Sequence, residues 1–172
     1  MTTTIRLPDS GDWVSRIREK ALSNMKKYES CAQSILAAFM EELGITDPLL
    51  LRSAGAMHGG LVCSYTCGVH MAGAMILGLL VGREDMKQGL DGLFPIVGPA
   101  QELMKRLNKR LGSQSCLELT GVDFTDLNAA FQFYAAGENV KCHSFVADGA
   151  EEIARFLKEK EASGELFRPA GR

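Results

Sequence analysis

The sequence has no apolar run long enough to cross a bilayer. Its longest, Val69 to Val81, is broken only by small residues and His70 and falls short of the roughly 20 residues a spanning helix needs. A buried helix is expected there instead, with no membrane span. Charge of one sign is also missing: 19 basic and 21 acidic side chains leave a net charge of −2, so no overall field draws nucleic acid. The first residues lack the basic patch, apolar core and small-residue cleavage site of a secretory signal, which makes the cytoplasm the expected compartment. GxGxxG, P-loop, HExxH and GxSxG patterns are absent, and so are the nucleotide, zinc-protease and hydrolase chemistries they carry. There is no C-x-x-C-H haem attachment, so Met57, Met71, Met75 and Met86 are read as core filler.

What the chain does have is five cysteines in 172 residues: Cys31, Cys63, Cys67, Cys116 and Cys142. Thiols are kept reduced in the cytoplasm, so ligands, redox groups or inert core residues are expected rather than structural disulfides. The odd count suits a set of four plus one. Two of the thiols fall in Cys63-Ser-Tyr-Thr-Cys67-Gly68, which runs directly into the long apolar segment. By itself that CxxxC spacing is neither a zinc nor a thioredoxin pattern.

The periodicity predicts helices throughout and no sustained strand. Trp13, Ile17, Ala21 and Met25 recur at spacings of four on a first amphipathic helix, capped by Asp9 or Ser10. Ser30 opens a second helix from Cys31 to Leu43, and Asp47-Pro48 a short third to Ala54. Residues 55 to 66 read as a loop rich in glycine, with Gly59 and Gly60 beside His58. A fourth helix follows from about Cys67 to Val81. Its interior glycines each cost about 0.5–1 kcal/mol against alanine, so close approach by neighbouring helices, or by a second copy in a homodimer, is expected to compensate. A short helix over 83–90, a turn at Asp91 to Pro95, and helices from Pro99 to Leu111, at Cys116 to Leu119, over 123–135 and from about His143 to Lys160 complete the reading. The tail from Ser163 is expected to fray. The fold class is therefore all-α, a single-domain helical bundle over residues 1–162 around a central glycine-rich helix at about 67–82.

On this map Cys31, Cys67, Cys116 and Cys142 all stand at helix starts, where free N–H groups and the helix dipole favour a thiolate. Cys63 alone lies in the loop. Scattered burial of small apolar residues is the plain alternative. A metal group of Cys63, Cys67 and His70, with Cys142 and His143 adding to it, is a minor option. His70 sits in the apolar helix and reads as a core residue, while His58 in the glycine-rich loop is the better functional histidine.

These segments resemble the C-GCAxxG-C-C family of redox-active proteins from Cys31 to about Leu157. Cys31-Ala-Gln-Ser-Ile-Leu-Ala-Ala-Phe resembles the opening cysteine helix, and Ala54-Gly-Ala-Met-His-Gly-Gly60 the glycine-rich loop. Cys67-Gly-Val-His-Met-Ala-Gly73 matches the cysteine–glycine motif, Gly112-Ser-Gln-Ser-Cys116-Leu-Glu-Leu-Thr-Gly121 the third segment, and Cys142 the fourth. The chain departs from the pattern at Val69 and His70 and adds Cys63. The family is similar to the cluster-bearing part of split-Soret cytochromes c. The resemblance implies an iron–sulfur cluster on Cys31, Cys67, Cys116 and Cys142. On that reading the residues themselves add backbone approach at Gly59, Gly60 and Gly68, Cys63 or His58 as an additional ligand or redox thiol, and a redox partner protein. Two other readings remain: a thiol–disulfide oxidoreductase or sensor using Cys63 and Cys67, and a non-catalytic dimeric interaction module. Whether the chain has a substrate, and so is an enzyme, is not decided by the sequence.

Overall fold

The amphipathic stripe of the first helix is the simplest place to see how the chain packs. In the computed structural model, which describes residues 5–166, Trp13, Ile17, Ala21 and Met25 of α1 (Trp13–Tyr28) are all buried. Their face lies on α2 (Cys31–Glu42) and α8 (Val140–Ala162), with the Trp13 indole edge-on to Phe39 at 5.7 Å. The short α3 (Pro48–Ser53) begins as its sequence demands, with the Asp47 carboxylate accepting from Leu49 N–H and Leu50 N–H. The five long helices close a ring in the order α1, α2, α4 (Gly68–Val81), α5 (Gly89–Leu111), α8 and back to α1. Through its middle α8 also touches α2 and α4. No strand occurs among the described residues, only one antiparallel bridge between Thr66 and Ser115. The class is all-α.

Close approach does offset the glycine cost, at Gly73 in α4 and at Gly149 in α8, which packs on α4. A Cβ on Gly73 would meet Leu107 Cδ1 at 3.2 Å and Ile153 Cδ1 at 3.4 Å, and one on Gly149 of α8 would overlap Val69 Cγ1. Gly78 is different, for nothing lies within 4 Å of its Cβ position.

Several boundaries differ from the pattern in the sequence. The turn expected at residues 91–95 is helical. A one-turn 3-10 segment, Met86–Gln88, is capped by the Asp85 carboxylate, and α5 then runs unbroken with Pro95 and Pro99 inside it. Each proline removes one intrahelical bond, but most residues of this half of α5 are exposed, so the freed carbonyls can turn to water. Helix α8 starts three residues earlier than expected, at Val140, which places Cys142 inside its first turn. The N-cap of α1 is Asp12 rather than Asp9 or Ser10. Met86 is 74% exposed and fills no core. Of the tail, Leu166 is 2% exposed and packs into the main core; the expectation for residues 167–172 lies outside the described residues.

Beyond the bundle, α6 (Cys116–Thr120) and α7 (Leu127–Ala135) form a small flap. Phe133, the buried residue of α7, packs edge-on to Phe124 at 5.5 Å. Cys116, Phe124 and Phe133 make a second apolar cluster separate from the main core.

Candidate redox site

The candidate site residues lie along the seam between that flap and the bundle. Cys67 belongs to the main core, Cys116 to the small cluster, and Cys142 packs against both. Two backbone hydrogen bonds stitch the seam: Cys67 N–H donates to Gln114 O at 2.8 Å, and Cys116 N–H to Tyr65 O at 2.6 Å. This two-rung ladder brings together cysteines 49 positions apart. Cys31, the first residue of α2, meets them because Gly68 has no side chain. A Cβ there would overlap Cys31 Sγ and stand 2.7 Å from Met57 O. Likewise, a Cβ on Gly60 would lie 2.7 Å from Cys116 Cβ. The fourth thiol arrives on the first turn of α8.

Cys31, Cys67, Cys116 and Cys142 thus line one cavity, walled by Val69, Phe124, Phe133, Phe145 and Val146. About 30 Å³ inside is open to the centre of a water-sized sphere, room for roughly two waters. His58 and Gly59 also face this cavity; Cys63 and His70 do not. His58 Nδ1–H donates to Gly55 O at 2.9 Å, which leaves Nε2 of the neutral ring as its acceptor nitrogen. The His70 ring is buried in α4, and neither ring nitrogen has a hydrogen-bond partner.

The loop before α4 is a left-handed turn, with φ between 54° and 61° at Gly59, Gly60, Leu61 and Val62 and again 59° at Ser64. Ser64 anchors it to the flap: its Oγ donates to Val122 O at 2.9 Å and accepts from Phe124 N–H at 2.7 Å. The turn carries Cys63 away from the cavity.

Their surroundings disfavour the thiolate form of the four cavity cysteines. Burial raises the pKa of all four, and neighbouring thiols raise Cys67, Cys116 and Cys142 further. Cys116 is pushed up to about 11 and Cys142 to about 12, each first by burial and next by Cys31. Cys67 rises by burial and by the charges of Cys31, Cys116 and Cys142. Hydrogen bonds from Gly59, Ala32 and Gly68 to Cys31, and from Val69 to Cys67, pull the other way, as helix starts should. They are outweighed, so the thiolate character expected from helix position alone is absent. Burial wins because charging a group in an apolar wall costs more than a few N–H dipoles return.

Sequence reasoning missed the polar and aromatic lining of the cavity, including two ionisable residues, Glu29 and Tyr134. Glu29 had no motif to mark it; its signal is a non-glycine residue directly after a helix, where φ turns positive.

A family model described as "Putative redox-active protein (C_GCAxxG_C_C)" matches residues 29–156. The chain belongs to this family. The matched span contains all four cavity cysteines and the left-handed turn, so the seam is built entirely from C_GCAxxG_C_C sequence. No curated protein and no solved structure matches the chain.

Four thiols on one apolar cavity suit an iron–sulfur group in the chemistry of the donors. The rise that neighbouring thiols impose on Cys67, Cys116 and Cys142 points the same way, since thiolates gathered in low dielectric repel one another until a cation joins them. The donors are convergent but not preassembled: among the described residues, no three histidine, cysteine or acidic side chains form a metal-ligating group.

Proposed function

We propose that this C_GCAxxG_C_C protein binds an iron–sulfur cluster through Cys31, Cys67, Cys116 and Cys142 and serves electron transfer or redox sensing. The observation that carries the reading is the meeting of four thiols, each from a different helix start, on one apolar-walled cavity. Four thiolates are the usual ligand set for such a cluster, and a bound cluster would supply one-electron chemistry. The chain's own residues supply the rest. Backbone at Gly59, Gly60 and Gly68 allows close approach. N–H groups at the starts of α2 and α4 reach the Cys31 and Cys67 sulfurs, and hydrogen bonds to sulfur tune the potential. Phe124, Phe133 and Phe145 give the cavity an apolar wall. His58 is the nearest candidate for an additional ligand. The thiol–disulfide reading has less support, because Cys63 is off the cavity wall and the Cys67 thiol is pushed up rather than down.

The test is metal content in anaerobically purified protein. Wild type and Cys63→Ser are expected to carry iron with visible charge-transfer absorption, while serine at Cys31, Cys67, Cys116 or Cys142 lowers iron per chain. Equal iron in all six proteins, or none in wild type, overturns the assignment.

For partners, we propose a homodimer and a separate redox protein that exchanges electrons with the site. The exposed start of α5 supports the dimer. Leu90, Leu93, Phe94 and Val97 are exposed there, and an apolar helix surface of that kind ordinarily finds cover.

A further inference from the structure

Glu29 occupies the position just after α1 where φ is +52°, a conformation that favours glycine. A glutamate there is strained by about 1 kcal/mol, so its side chain should have a task. His143 Nε2–H donates to Glu29 Oε1 at 2.9 Å, across 114 positions of sequence. Glu29 stands two residues before Cys31, and His143 directly follows Cys142. The hydrogen bond therefore ties the corner that starts α2 to the first turn of α8, the segments that carry the first and fourth cavity thiols. Glu29 itself lines the cavity, and its Oε2 is buried without a hydrogen-bond partner. Its charge reaches both Cys142 and Tyr134 on the same wall.

We propose that Glu29 is a positioning residue of the four-thiol site. Through His143 it holds the Cys31 and Cys142 corners together, and its free carboxylate oxygen sets a fixed negative charge on the cavity wall that lowers the site's reduction potential. The second half rests on the cluster reading; the clamp does not. Reduction adds an electron to the site, and a nearby negative charge in a low-dielectric wall opposes it. A glutamine at this position keeps an oxygen for His143 but carries no charge. A glycine removes both and also relieves the left-handed strain, so a role limited to ending α1 predicts that Glu29→Gly is neutral or stabilising with nothing changed at the thiols.

The experiment compares wild type, Glu29→Gln and Glu29→Gly. In metal-free reduced protein, alkylation of Cys142 by iodoacetamide is followed by mass spectrometry. In anaerobically purified protein, iron per chain and the midpoint potential of the visible chromophore are measured. Glu29→Gly is expected to label Cys142 several-fold faster and to hold less iron, with a thermal midpoint no lower than that of wild type. Glu29→Gln is expected to label and bind iron as wild type does while its midpoint potential moves to a more positive value. Wild-type labelling in Glu29→Gly overturns the clamp, and an unmoved potential in Glu29→Gln overturns the electrostatic role. If wild type holds no iron, the cluster reading and the potential-setting role fail with it, and the labelling rates alone decide the clamp.

Discussion

His70 illustrates how a single residue can carry a cost that no motif explains. It is 2% exposed, and neither ring nitrogen is hydrogen-bonded. Burial lowers its pKa from the ordinary 6.5, and the nearby Asn108 side chain, which pulls the other way, does not reverse the effect. A base whose folded pKa lies below its unfolded value contributes full stability above the unfolded pKa. That contribution is lost as pH falls, because only the unfolded chain gains the proton. Unfolding free energy should therefore decline below about pH 6.5, by at most about 1.4 kcal/mol per pH unit from this group. Urea titrations at a series of pH values check this, and the His70→Leu variant should lose most of the slope. An identical slope in the variant would assign it to other groups. The sequence placed His70 correctly on an apolar helix, yet it did not reveal that both nitrogens lack partners, which depends on what α5 sets opposite the ring.

At the scale of elements, the left-handed turn before α4 and the long α5 were the least legible parts. Leu61 and Val62 have φ of 61° and 57°, a region that costs an L-residue about 1–2 kcal/mol and a β-branched one no less. Glycines at 59 and 60 signalled a tight backbone, but nothing local announced that the turn would continue through two apolar residues. Its hold comes from Ser64, which bonds to Val122 and Phe124 some 60 positions away. Because Val62 is 44% exposed and loses little burial on truncation, Val62→Gly is expected to stabilise the protein by about 1 kcal/mol, read as a higher urea midpoint. A lower midpoint would mean that the valine side chain does more than endure the turn. Helix α5 is the converse case. Two prolines read locally as breaks, whereas packing of Leu103, Leu107 and Leu111 on α4 and α8 carries one helix past both.

At the scale of the molecule, one half of α5 is core and the other is not. Phe94 is 62% exposed, with Leu90 beside it one turn earlier. In the proposed homodimer these side chains meet a second copy. The double variant Leu90→Ser, Phe94→Ser is then expected to sediment as a monomer with unchanged helix content, where wild type sediments as a dimer. A monomeric wild type at micromolar concentration would remove the proposal without touching the four-thiol cavity, which takes in the start of α4 rather than its end.

What the sequence determined by itself is local and periodic. Apolar spacing dictated an all-α chain, acidic caps opened α3 and α7, and the four cysteines could be placed at or near helix starts because caps and glycines are short-range signals. The order of those cysteines also sufficed to indicate the family. Only the tertiary structure decided that the four thiols share a cavity, that Cys63 and His70 lie off it, and that Glu29 and Tyr134 lie on it. It also decided that the thiols are harder, not easier, to ionise than free cysteine, because desolvation depends on everything packed around a group and helix position on its own turn alone.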